Sequence, residues 1–159
     1  MHVLQASVQA IALIHEVIAV DGKTARGSHD RTNSGKPLHR VTAWACENRR
    51  VLAQEATDEK SNEISTIPKL VELLELKGCM VTLDAMGCQC AIAEQIMAQQ
   101  GDYVMGLTGN QSNLHQAVDD DFTTAQQHAF KADPYAYTEE LDKDHGRLEI
   151  RRYWITEDL

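Results

Sequence analysis

The chain has 159 residues, 43% of them hydrophobic, enough for one domain with a buried core. Its formal net charge of -9 argues against a protein that coats nucleic acid with its whole surface. The apolar stretch "AIALIHEVIAV" at 10–20 is broken by His15 and Glu16, lacks a basic leader and is too short to span a bilayer, so the chain reads as soluble and cytoplasmic.

In chain order, Val17 to Asp21 is a β-branched apolar run bounded by Gly22, the pattern of a buried strand. "GKTARGSHDRTNSGKP" then reads as a polar loop, and 38–57 as two alternating strands turned at Glu47 to Arg49. A helix follows, with Pro68 in its first turn, Ile67, Leu70, Val71 and Leu74 at helical spacing, and Gly78 as its stop. "CMVTLD" is a second apolar run ending in a carboxylate, Asp84. The next helix, 87–101, turns Ile92, Ala93, Ile96 and Met97 inward and stops at Gly101. "YVMGLT" is strand-like, "NQSNLHQAVDDDFTTAQQH" helical, and from about Asp133 the pattern is that of a hairpin turned at "DKDHG". Strand–helix–strand connections demand parallel neighbours, so the fold class is α/β, a mixed sheet flanked by helices. The expected division is a core over 1–132 and a β-rich segment over 133–159.

Charge is uneven. Residues 21–50 hold seven of the fifteen Lys and Arg against three acids, a local +4 that leaves -13 for the remainder. Lys23, Arg26, Arg31 and Lys36 crowd the loop just after Asp21. The four cysteines (Cys46, Cys79, Cys88, Cys90) do not form a zinc pattern, because Cys88-x-Cys90 has the wrong spacing.

Three chemistries could place a carboxylate at a strand tip before a cluster of cations. A nucleotide-binding loop built on "GKT" needs another glycine five positions before Gly22, where Val17 stands. An aspartyl-phosphate mechanism typically wants a second carboxylate two residues away, where Ala19 and Lys23 stand. The third is metal-assisted work on a polyanion. Asp21 and Asp84 end two strands and converge if those strands are parallel neighbours, and oxygen ligands of that kind suit magnesium. The basic loop would then neutralise phosphates. An aspartate after a strand also serves as a turn former or helix cap, and a basic loop as an ordinary solvated edge, so residues alone leave these readings open.

Five blocks carry a resemblance: "IAVDGKTARGS", "ATDEKSNEISTIP", "VTLDAMGCQ", "DYVMGLTGNQ" and "HGRLEIRRYWITED". In this order they resemble the bacterial insertion-sequence transposases of the H-repeat-associated type, within the DDE superfamily, over roughly nine tenths of the chain. The resemblance implies an RNase H-like fold, dependence on Mg2+ (or Mn2+) at a two-metal site, and cleavage and joining of DNA at transposon ends. It places the first two catalytic, metal-binding aspartates on Asp21 and Asp84, and it allows a homodimer in the complete protein. The family's third carboxylate is expected on a helix beyond a β-rich insertion, in a Trp-x-Ile-Glu-like block that this sequence lacks. Glu149 is instead read as a charge-paired strand residue, since alternation sets it with Arg147 and Arg151 and opposite Leu148 and Ile150. The chain is therefore expected to be an internal, catalytically incomplete piece of such a protein. Thr108 stands where the family usually has a lysine. The alternatives are an RNase H-like nuclease and an inactive remnant that at most binds DNA weakly.

Overall fold

The computed structural model describes residues 16–24, 39–57, 63–128, 130, 135–144 and 147–157. They fall into two compact units, 1–110 and 111–159.

The first unit is built on a five-stranded sheet. Its strands are β1 (Val17–Thr24), β2 (His39–Ala45), β3 (Arg50–Thr57), β4 (Met80–Leu83) and β5 (Asp102–Met105), in spatial order β3-β2-β1-β4-β5. β1, β2 and β3 form an antiparallel meander, whereas β4 lies parallel to β1 and β5 parallel to β4. This is the mixed α/β sheet expected, and it is consistent with an RNase H-like core. Two helices make the crossovers, α1 (Glu63–Glu72) between β3 and β4, and α2 (Cys90–Ala98) between β4 and β5.

Alternation explains the core. Ile18 and Val20 on β1, Val41 and Ala43 on β2, and Val81 and Leu83 on β4 point to one sheet face, where they pack with Ile67, Leu70 and Val71 of α1 and Ile92 and Ile96 of α2. The two helices are also tied by polar bonds. Gln95 of α2 and Gln99 at its C-cap donate their amides to the carbonyls of Pro68 (2.8 Å) and Val71 (3.2 Å), so carbonyls near the end of α1 find donors across the interface. Just before β1, Glu16 is buried and its carboxylate accepts from the Glu47 backbone N–H (2.6 Å) and from the Asn48 amide, which pins the β2–β3 turn.

Several local expectations are corrected. β1 does not stop before Gly22 but pairs with β2 out to Thr24, because the ladder continues through Gly22↔Val41 and Thr24↔His39. α1 begins at Glu63, so Pro68 lies past its first turn, where the ring removes the N–H that would bond to the Ile64 carbonyl. α1 ends at Glu72, well short of Gly78, and that glycine turns the chain into β4 with φ +72°. Met97 is 61% exposed, since the short α2 turns Ile92 and Ile96 inward and leaves its neighbours at the rim. β5 ends at Met105, before the glycine of "YVMGLT".

The second unit holds α3 (Ser112–Gln127) and the hairpin of β6 (Ala136–Asp144) and β7 (Arg147–Ile155). Aromatic rings organise it. Trp154 stacks on Phe130 at 5.5 Å between centroids, and Tyr135 contacts Phe122 and Phe130 while donating its hydroxyl to Asp121 (2.9 Å). No described helix is long and apolar enough to cross a membrane.

Candidate functional site

The carboxylates of interest stand where β1 and β4 leave their parallel pairing. The last paired positions are Val20 and Leu83, and Asp21 and Asp84 are the next residue on each chain. Neighbouring strands run about 4.7–4.9 Å apart, so residues 63 positions apart in sequence become neighbours through this register. Val20 and Leu83 face the helices, and alternation turns Asp21 away from that face; both aspartates are exposed.

Their surroundings differ. The Asp21 carboxylate lies 3.8 Å from the Lys23 ammonium, two residues along the same strand face, and both side chains are largely in solvent. Such a pair contributes little to stability but sets a mobile cation beside the carboxylate. Asp84 caps a short 3₁₀ turn, Ala85–Gly87, its Oδ1 accepting from the Met86 N–H at 3.0 Å and the Gly87 N–H at 3.4 Å. The cap role is therefore real, and it holds the carboxylate in place through one oxygen.

The segment after β5 closes on the same point. Gly106 donates its N–H to the Leu83 carbonyl (3.0 Å), and a Cβ there would stand 3.1 Å from the Ala85 nitrogen, so the chain passes tightly against the residue after Asp84. Asn110 donates its amide to the Ala85 carbonyl (2.6 Å), and the Thr108 hydroxyl donates to Asn110 Oδ1 (2.7 Å). Thr108, which has no charge to offer, orients the asparagine that fastens this loop to the Asp84 turn. Sequence reading missed Asn110, because an asparagine in a glycine-bearing loop looks like any turn former.

Of the other residues singled out, Lys23 is on β1 and 85% exposed at its side chain. Arg26, Arg31 and Lys36 lie outside the described residues. Glu149 is on β7 in the second unit, its carboxylate accepting from Arg151 (2.7 Å), as strand alternation predicts. Among the described residues no three His, Cys, Asp or Glu side chains group as a metal site.

The sequence model of the transposase DDE domain matches residues 13–157. A Xanthobacter autotrophicus protein of the dhlA 3′ region is 44% identical over 142 residues, 89% of this chain and 46% of that protein. Two Escherichia coli (strain K12) proteins named as candidate H repeat-associated transposases are similar too. YhhI is 42% identical over 140 residues, 88% of this chain and 36% of its own length. YbfD is 41% identical over 140 residues, 88% of this chain and 54% of its own. The chain thus spans about half or less of the length of these curated relatives. No solved structure matches it.

Proposed function

Because the chain belongs to the transposase DDE domain family, we propose that it carries part of the catalytic core of a DNA transposase, with Asp21 and Asp84 as ligands for a divalent cation, Mg2+ or Mn2+. The observation that supports this reading is the β1–β4 register, which makes neighbours of two strand ends that each lead into an aspartate, Asp21 and Asp84. The donors fit a hard cation, since both are carboxylate oxygens and Asp84 keeps Oδ2 outside its cap bonds. When bound, such an ion supplies Lewis-acid polarisation of a phosphodiester and a more acidic water or hydroxyl.

The chain's own groups do the rest. Asp21 and Asp84 supply negative charge at one point, and the cap on Asp84 limits its motion before any ligand arrives. Lys23, with Arg26, Arg31 and Lys36, neutralises phosphates along the DNA and so holds the strand near the aspartates. The reaction of the whole protein is hydrolysis of a phosphodiester, followed by attack of the freed 3′-hydroxyl on a second one. Two carboxylates are fewer ligands than an in-line displacement needs, so the 159-residue chain alone is expected to bind DNA and metal without cutting.

The test is calorimetry with Mn2+, together with a cleavage assay on DNA duplexes bearing the ends of the parent element. The chain is run beside a version extended to the length of its relatives. Expected are Mn2+ binding lost in Asp21→Asn and Asp84→Asn, and cleavage by the extended protein alone. Cleavage by the short chain that Asp84→Ala abolishes would overturn the incompleteness and return Glu149 to consideration as the third ligand. Salt-sensitive DNA binding without cleavage by either protein would favour an inactive remnant.

A further inference from the structure

Three side chains close to Asp21 have no part in the site described above. Glu63, the first residue of α1, and His39, the first of β2, are each 3% exposed. His39 Nε2 meets Glu63 Oε1, and His39 Nδ1 meets the Thr24 hydroxyl at 2.9 Å. In the neutral ring Nε2–H donates to Glu63 and Nδ1 accepts from Thr24. The Glu63 carboxyl group lies directly over Gly22, where a Cβ would stand 2.2 Å from Oε1. Glycine follows Asp21 because any side chain there would displace Glu63.

A buried polar pair is a poor way to fill a core, since apolar residues of similar volume are often as stable or more so. Its position suggests another use. β1 is held on both sides only through Val20, where its pairing with β4 ends; from Asp21 to Thr24 the described residues pair it with β2 alone. The Glu63–His39–Thr24 chain joins the start of α1, the start of β2 and the end of β1 across that half-supported stretch.

We propose that the buried Glu63–His39 pair, with Thr24, is a clamp that fixes the backbone of the β1 tip and so positions Asp21 beside Asp84. The clamp rests on the reading of Asp21 as a metal ligand only for its purpose, not for its mechanical effect. Glu63 and His39 are positioning residues. They face the helix side of the sheet and bind no ion.

Two measurements on the full 159-residue chain test it: amide hydrogen exchange across β1, and Mn2+ affinity by calorimetry. Glu63→Ala should speed exchange at Gly22, Lys23 and Thr24 by about tenfold or more while Val81 and Ile96 stay protected, and should weaken Mn2+ binding by about tenfold. Glu63→Gln, which still accepts from His39, should recover most of both. Leu70→Ala serves as a control, because it destabilises the same core without touching the clamp and should leave Mn2+ affinity unchanged. Should Glu63→Ala fail to fold, Thr24→Val cuts only the outermost bond at an exposed position and should shift both readouts in the same direction by less. Unchanged exchange at 22–24 overturns the clamp, as does a Leu70→Ala variant that loses Mn2+ affinity equally. If the unaltered chain binds no Mn2+, the metal reading falls and exchange alone still decides the clamp.

Discussion

At Asp84 one side chain combines two properties that substitution can separate. Its Oδ1 satisfies two backbone N–H groups of the following turn, while its charge is what a cation would need. Asparagine ranks with aspartate as a cap, so Asp84→Asn should leave stability within about 0.5 kcal/mol, whereas Asp84→Ala should cost about 1 kcal/mol. Denaturant unfolding of the two variants checks this, and Mn2+ binding should be lost in both. Glu16 is a purely structural counterpart, buried and bonded to the β2–β3 turn. Glu16→Ala should lower stability on the order of 1–3 kcal/mol, because the turn loses two bonds and the core gains a gap. Cys79 sits in the same region, and burial pushes its thiol up from the ordinary value. It should react with a thiol reagent far more slowly than the exposed Cys90, which mass spectrometry of the partly labelled chain would reveal.

At the scale of elements, the β6–β7 hairpin shows how a two-stranded sheet is held without a large core. Glu139 and Arg152 are paired across the strands at 2.9 Å, and the Tyr137 hydroxyl donates to the same carboxylate at 2.8 Å. The hydrogen bond from Arg152, and then that from Tyr137, hold the Glu139 carboxyl below its ordinary 4.5. The same carboxylate pushes the Tyr137 hydroxyl up. A carboxyl whose folded value is lowered contributes support that is complete above its unfolded value and lost as pH falls through the folded one. The hairpin should therefore keep its NMR shifts from neutral pH down to about 4.5 and lose cross-strand contacts only below that. Glu139→Gln should remove this acid transition; a transition that persists in the variant would assign it to another group. β1 shows the converse. It has neighbours on both sides up to Val20, and the function proposed for it lies where that support halves.

For the molecule as a whole, charge sets the terms of any contact with DNA. A chain of net charge -9 repels a polyanion except through the +4 segment at 21–50. Binding should accordingly be weak at physiological salt and fade as salt rises. Neutralising Lys23, Arg26 and Arg31 together should flatten the slope of log affinity against log salt by up to about 3, since each phosphate contact contributes about 0.9. Fluorescence anisotropy on a labelled duplex at several salt concentrations measures this. An unchanged slope would move the DNA-binding surface elsewhere.

Much of this protein is determined by local sequence. Alternation in 17–21 and 79–84, the helical spacing of Ile67, Leu70 and Val71, and the hairpin pattern after Asp133 are short-range signals, and short-range sterics and burial suffice to produce a mixed α/β sheet from them. The strand position of Glu149 follows from the same alternation. Ordered blocks of residues also identified the family before any coordinates. What the tertiary structure alone decided depends on contacts between distant residues. That Asp21 and Asp84 are neighbours is a matter of strand order and register, which no local pattern encodes. Glu63, His39 and Asn110 were invisible for the same reason. Each is an unremarkable polar residue in its own segment, and acquires meaning only when folding brings Glu63 over Gly22, His39 against Glu63, and Asn110 against the carbonyl that follows Asp84. The helix ends differ from the local pattern, in which Pro68 is a start signal and Gly78 a stop signal. Burial of Leu70 and Val71 against the sheet, with Gln95 and Gln99 on the carbonyls near the helix end, outweighs a missing N–H at Pro68 and ends the helix before the glycine is reached.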